Sequence, residues 1–200
     1  ISAQPQKNPT LPEPPCLKNR LEECILSETP VTEVWPNIFL GNGDTARDRT
    51  KLKEMGINHI LNAAAKDLKG KINTGAKYYR GMNIKFCGSA TTHRDGFNMG
   101  MYFLPAAKFI HKALRNPEIK IVLIHCSHGV SQSPTCLLAY LMIHHDMMVD
   151  EAIDHVIKMR HIKPSISFLT QLMSLNAEHV EQRKQQYFCP LNIFKKKTKQ

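Results

Sequence analysis

Apolar residues recur along this chain in two rhythms, one of period two and one of period 3.6. The run Trp35-Pro36-Asn37-Ile38-Phe39-Leu40-Gly41 reads as a strand closed by a glycine turn. Residues 45–55 follow as a helix, with Asp44 as N-cap and Gly56 just past the end. His59-Ile60-Leu61-Asn62 is a short second strand, and residues 78–82 and 84–86 supply further strand material. Residues 101–114 carry Phe103, Ala106, Ala107, Ile110 and Leu114 at helical spacing. Residues 119–124, apolar except for Lys120, form the run expected of a strand buried in a parallel sheet. Three helices close the chain: 133–145, then 149–160 with its apolar face at 149, 152, 153, 156 and 157, then 166–185 behind the cap residue Ser165. Strands that alternate early and helices that dominate late predict an α/β domain, a central sheet with helices packed on it.

Composition sets the limits of that domain. Two hundred residues with 42% hydrophobic content suit one domain with a proper core. Residues 1–28 are expected to be a flexible Pro-rich arm, 29–187 the domain, and 188–200 a basic tail. The absence of an initiator Met reads as a trimmed chain. The formal charge is +10, with Lys195, Lys196, Lys197 and Lys199 contributing four and the rest dispersed over helices. A dispersed basic surface favours acidic or phosphorylated partners, and no nucleic-acid reader motif accompanies it. Six scattered cysteines, no signal peptide and no apolar run long enough to span a bilayer argue for a reduced, cytoplasmic protein without membrane insertion. The lysine cluster adds a nuclear-import reading. Cys87 is a candidate resolving thiol, and His144 and His145 are read as cations at the negative end of a helix dipole.

The chemistry concentrates in residues 121–135. An apolar strand runs into His125 and Cys126, a loop with a central glycine follows, and a helix begins. A phosphate seated there would meet inward-pointing backbone amides from Ser127, His128, Gly129, Val130, Ser131 and Gln132 together with a helix N-terminus. Gly129 allows the tight turn. The same field favours a thiolate at Cys126, which could attack phosphorus and form a phosphocysteine. Ser133 is placed to hydrogen-bond the sulfur, and His125 to sit behind it and orient the loop.

His-Cys-x-x-Gly-x-x-Arg-Ser is the signature of cysteine-dependent protein tyrosine phosphatases, and residues 125–133 resemble it everywhere except Gln132. The surroundings resemble the small atypical dual-specificity phosphatases. The matching segments are Glu33-Val34-Trp35-Pro36-Asn37-Ile38-Phe39-Leu40-Gly41, residues 56–64, residues 74–82, Leu138-Ala139-Tyr140-Leu141-Met142 and Phe168-Leu169-x-Gln171-Leu172. The resemblance covers residues 31–183. It implies a single domain with a central, mostly parallel five-stranded sheet flanked by helices, and a reaction on phosphotyrosine and phosphoserine/threonine that uses no cofactor and no metal.

Two departures bear on that reaction. In the family the position of Gln132 is an arginine that grips the phosphoryl oxygens bidentately, which a neutral amide cannot replace. Losing one such donor costs on the order of 10²–10³ in rate. The family's general acid is an Asp ahead of a Phe-Asp/Asn segment. Setting that segment on Phe97-Asn98 places His93 where the Asp belongs, with Asp95 two residues on, so both are acid candidates. A milder change is Ser165-Ile166-Ser167 in place of Asn-x-Gly. Two readings follow. One is a pseudophosphatase that binds phosphorylated proteins or signalling kinases. The other is a weakly active phosphatase working through a Cys126 phosphocysteine. A homodimer is compatible with apolar surface on the terminal helix.

Overall fold

The computed structural model describes residues 14–65, 74–89 and 97–188. Its elements in chain order are α1 (Pro14–Glu22), β1 (Val31–Trp35), β2 (Ile38–Gly41), α2 (Gly43–Arg47), α3 (Arg49–Glu54), β3 (His59–Asn62), β4 (Lys85–Gly88), α4 (Gly100–Leu114), β5 (Val122–His125), α5 (Gln132–His144), α6 (Val149–Ile157) and α7 (Ile166–Phe188). The expected α/β class holds, with five strands in the order β1-β2-β5-β3-β4. β2, β5, β3 and β4 are parallel, and β1 joins the edge antiparallel to β2.

Four elements differ from the expectation, each for a local reason. The predicted strand 35–41 is a hairpin. Pro36-Asn37 form its turn, Asn37 takes φ 63°, and Glu33 Oε1 accepts from Asn37 N at 2.9 Å. The predicted helix 45–55 is two helices. Asn42, not Asp44, caps the first by accepting from Thr45 N at 2.9 Å, and Asp48 caps the second by accepting from Lys51 N at 2.9 Å. Residues 78–82 are successive turns with Gly81 at φ 84° and no strand. The last strand starts at Val122, leaving Ile119 79% exposed. A fifth difference lies in the expected arm: residues 14–22 are helical, because Leu17 and Leu21 form an i,i+4 apolar pair that is buried in the core.

Strand alternation covers both faces of the sheet. Ile38, Leu40, Leu61, Val122 and Ile124 point into the larger core, filled from α1, α4, α5, α6 and α7. Phe39, Ile60, Phe86 and Leu123 point the other way, onto Ala46, Leu52, Ile57 and Tyr79. α5 is buried from Gln132 to Met142, which makes it the central helix on which the others pack. Among the described residues no helix is long and apolar enough to cross a membrane.

Candidate active site

The site lies at the carboxyl end of β5, the middle strand. His125 is in register with Gly41 of β2 on one side and Asn62 of β3 on the other. The carboxyl ends of adjacent parallel strands leave a crevice, which is where α/β sheets hold their ligands. Cys126 is the next residue and is buried. Its Sγ lies 3.2 Å from Ser133 Oγ and accepts from Gly129 N at 3.3 Å. Ser133 is therefore placed against the sulfur, and it belongs to the first turn of α5.

The loop's carbonyls are held from outside. Gly43 N donates to Ser127 O at 3.0 Å, Lys163 N donates to Val130 O at 2.5 Å, and Arg160 Nε donates to Gly129 O at 3.2 Å. Every peptide bond here is trans, so a carbonyl anchored outward turns the following N–H inward. The amides of His128, Val130 and Ser131 are aimed in this way into the loop, beside the N-terminus of α5. That is the geometry of an anion nest. Gly129 is the hinge of the turn. At φ +74°, a Cβ on it would stand 2.6 Å from Gly41 O and 2.7 Å from Arg160 Nη2.

His125 is fully buried, and burial pushes it down to about 3, against an opposite pull from the Cys126 backbone. The ring is neutral. Neither ring nitrogen meets hydrogen-bond geometry, so its contribution to the loop is packing and a nearby dipole. Ser131, Gln132 and Ser133 are buried, Ser127 and Val130 half-buried, and His128 exposed at the rim. Gln132 is the first residue of α5 and is inaccessible to solvent. His93 and Asp95, the acid candidates, lie outside the described residues. The segment just after them is fixed from α7: Gln171 donates from Nε2 to Phe97 O and accepts at Oε1 from Gly100 N, both at 2.8 Å.

Three residues that hold the loop escaped the sequence reading. Arg160 lies at the end of an amphipathic helix with no local sign of a loop contact, and Gly43 and Lys163 act only through their backbone N–H groups. Cys87 lies on β4 in register with Leu61, two strands from β5. That spacing is about 10 Å, too far for a disulfide with Cys126 without backbone movement. Among the described residues, no three His, Cys, Asp or Glu side chains gather to hold a metal ion.

Comparison with known proteins agrees with the geometry. The model of the dual specificity phosphatase catalytic domain matches residues 38–178. The human dual specificity protein phosphatase 13B is 42% identical over 176 residues, covering 88% of this chain and 86% of its own, and the mouse protein of the same name is 43% identical over 148 residues, covering 74% and 73%. Two solved structures share the fold. One is the human tyrosine phosphatase-like serine/threonine/tyrosine-interacting protein (TM-score 0.63, 24% identity, 75% of this chain and 97% of that one). The other is the Yvh1 phosphatase domain from Chaetomium thermophilum (TM-score 0.64, 21% identity, 75% and 97%).

Proposed function

Because this chain belongs to the dual specificity phosphatase catalytic-domain family, we propose that it is a catalytically impaired member, a pseudophosphatase that holds phosphorylated proteins in an intact anion nest. The observation that carries the reading is Gln132, buried at the first position of α5, at the end of the loop. An arginine in that place brings a full charge and a two-pronged donor to the phosphoryl oxygens. A glutamine brings one amide. Charge-assisted hydrogen bonds are worth about 1.5–3 kcal/mol against roughly 1 for neutral ones, and that difference grows where the oxygens gain charge in the transition state. Ground-state binding loses less, because the inward amides and the helix terminus remain. The change therefore cuts turnover more than capture.

The partners that fit are phosphoproteins, including phosphorylated signalling kinases, in the cytoplasm or, through the lysine-rich tail, the nucleus. One feature favours a second reading, a weakly active enzyme. Cys126 Sγ keeps both of its neighbours, Ser133 Oγ and Gly129 N, so the nucleophile position is still built. In that case the sulfur displaces the substrate's oxygen from phosphorus, His93 or Asp95 protonates the departing oxygen, and water then cleaves the phosphocysteine.

Single-turnover assays on an activated aryl phosphate separate the two, using the parent chain, Gln132→Arg and Cys126→Ser. The pseudophosphatase reading expects a silent parent, phosphate release by Gln132→Arg, and phosphopeptide binding by parent and Cys126→Ser alike. A parent that turns over at the rate of its Gln132→Arg variant, with the activity abolished in Cys126→Ser, would overturn it.

A further inference from the structure

Arg160 is a buried cation without a carboxylate. It is 2% exposed, and among the described residues it makes no ion pair. Its Nε donates to Gly129 O at 3.2 Å, and its Nη1 reaches the hydroxyls of Thr29 and Thr32, both at 3.1 Å. Nη2 is buried with no hydrogen-bond partner and lies against the Cα of Gly129. Burying a guanidinium among neutral groups is costly, and burial here works against its charged form. Negative charge at Cys126 would work the other way, as does Glu28. A guanidinium keeps its proton in proteins, so the loop has a permanent positive charge directly behind it.

Resting on the anion-site reading above, we propose that Arg160 supplies the positive charge that Gln132 cannot, acting as a positioning residue. It turns the Val130 amide toward the bound anion by holding the Gly129 carbonyl, and it stabilises the Cys126 thiolate and a phosphate dianion from behind the loop. Three observations carry this. The guanidinium touches the loop at its central glycine. Its Nη1 is tied to neutral hydroxyls, and no ion pair among the described residues cancels its charge. One N–H group is left over on the loop side. Arg160 does not reach the phosphoryl oxygens in place of the missing arginine, so it supports capture without restoring the transition-state grip.

The test uses the full chain with Arg160→Gln, which keeps an amide donor for Gly129 O and deletes the charge, and Arg160→Lys, which keeps the charge and loses the fork. Two readouts are taken: the affinity for sodium tungstate by calorimetry, and the pH midpoint of iodoacetamide labelling at Cys126. Arg160→Gln is expected to bind tungstate about tenfold or more weakly, because a full positive charge behind the loop is lost, and to label at a higher pH midpoint. Arg160→Lys should stay close to the parent in both, whatever its thermal stability. A parent-like Arg160→Gln, or a Lys variant as impaired as the Gln one, overturns the proposal. If the parent itself binds no tungstate, the anion-site reading fails on its own and the labelling midpoints decide the role of Arg160. If Arg160→Gln does not fold, Arg160→Lys decides: a parent-like midpoint supports the charge, and a raised one overturns it.

Discussion

The imidazoles of His111 on α4 and His144 on α5 stack face to face, centroids 3.9 Å apart and planes 5° from parallel. Two rings in that arrangement cannot both carry a proton without repulsion. His144 is held below its ordinary range by burial first, then by His111 and His145. His145, packed edge-on to Tyr140 and tilted against Trp35, is lowered by burial and His111, with Asp146 pulling the other way. The rings expected as cations at the end of α5 are thus disfavoured in their charged form, and they pack α5 against α4 and β1.

Stability should therefore fall on mild acidification. His59, His125, His144 and His145 all bind protons less readily folded than unfolded. Above the ordinary histidine value of about 6.5 both states are neutral and nothing is lost; below it the unfolded chain takes up protons that the fold refuses. Fully buried His125 alone accounts for about 2 kcal/mol at most between pH 6.5 and 5, at roughly 1.4 kcal/mol per unit. Urea unfolding at pH 7.5, 6 and 5 checks this. A midpoint that does not move across the series refutes it.

Gly129→Ala should damage loop and fold together. The left-handed φ costs a side chain about 1–3 kcal/mol, and the new methyl meets Gly41 O and Arg160 Nη2 at 2.6 and 2.7 Å. At ~2–4 °C per kcal/mol for a domain of this size, the melting point drops by several degrees, and tungstate affinity falls with it. Unchanged melting and binding would mean that the loop relaxes freely around this residue.

How much of this was legible in the sequence depended on whether the information was local. The Cys126 loop was readable because strand, glycine and helix start follow one another without interruption. The parallel sheet was readable from the unbroken apolar run before it. The hairpin was legible in principle, since Pro36-Asn37 is a turn dipeptide inside the run taken as one strand. Asp48 was a second missed signal, a capping residue in mid-helix that the apolar spacing around it concealed. Arg160 carried no local signal, because its meaning lies in Gly129, 31 residues away in the chain, and in Thr29 and Thr32, more than a hundred residues away. Nothing short of the packed fold brings those together.

The domain should need α1 to be stable. Leu17 is fully buried, and Arg20 is ion-paired with Asp154 of α6. Leu17→Ala should cost about 2–5 kcal/mol, the range for emptying a buried leucine site. Arg20→Ala should cost under about 1 kcal/mol, because that pair is partly solvent-exposed. A chain beginning at residue 29 would lose both contacts and should unfold at markedly lower urea. Equal midpoints for the full and shortened chains would return α1 to the status of a dispensable arm.

The two acid candidates can be told apart once a charge is restored to the loop. In Gln132→Arg, the group that protonates the departing oxygen must itself be protonated, so kcat falls as pH rises through its pKa. An ordinary histidine titrates near 6.5 and an aspartate near 3.9. If His93 is the donor, activity persists to about pH 6 and His93→Ala removes roughly 10²–10⁴ of it. The loss should be large on an alkyl phosphate, whose leaving oxygen needs the proton, and small on an aryl phosphate with a good leaving group. Asp95→Asn should then change little. If Asp95 is the donor the sensitivities exchange and the falling limb moves below pH 5. A rate indifferent to both substitutions on the alkyl substrate would mean that neither residue delivers the proton, and that the acid function has been lost along with the arginine.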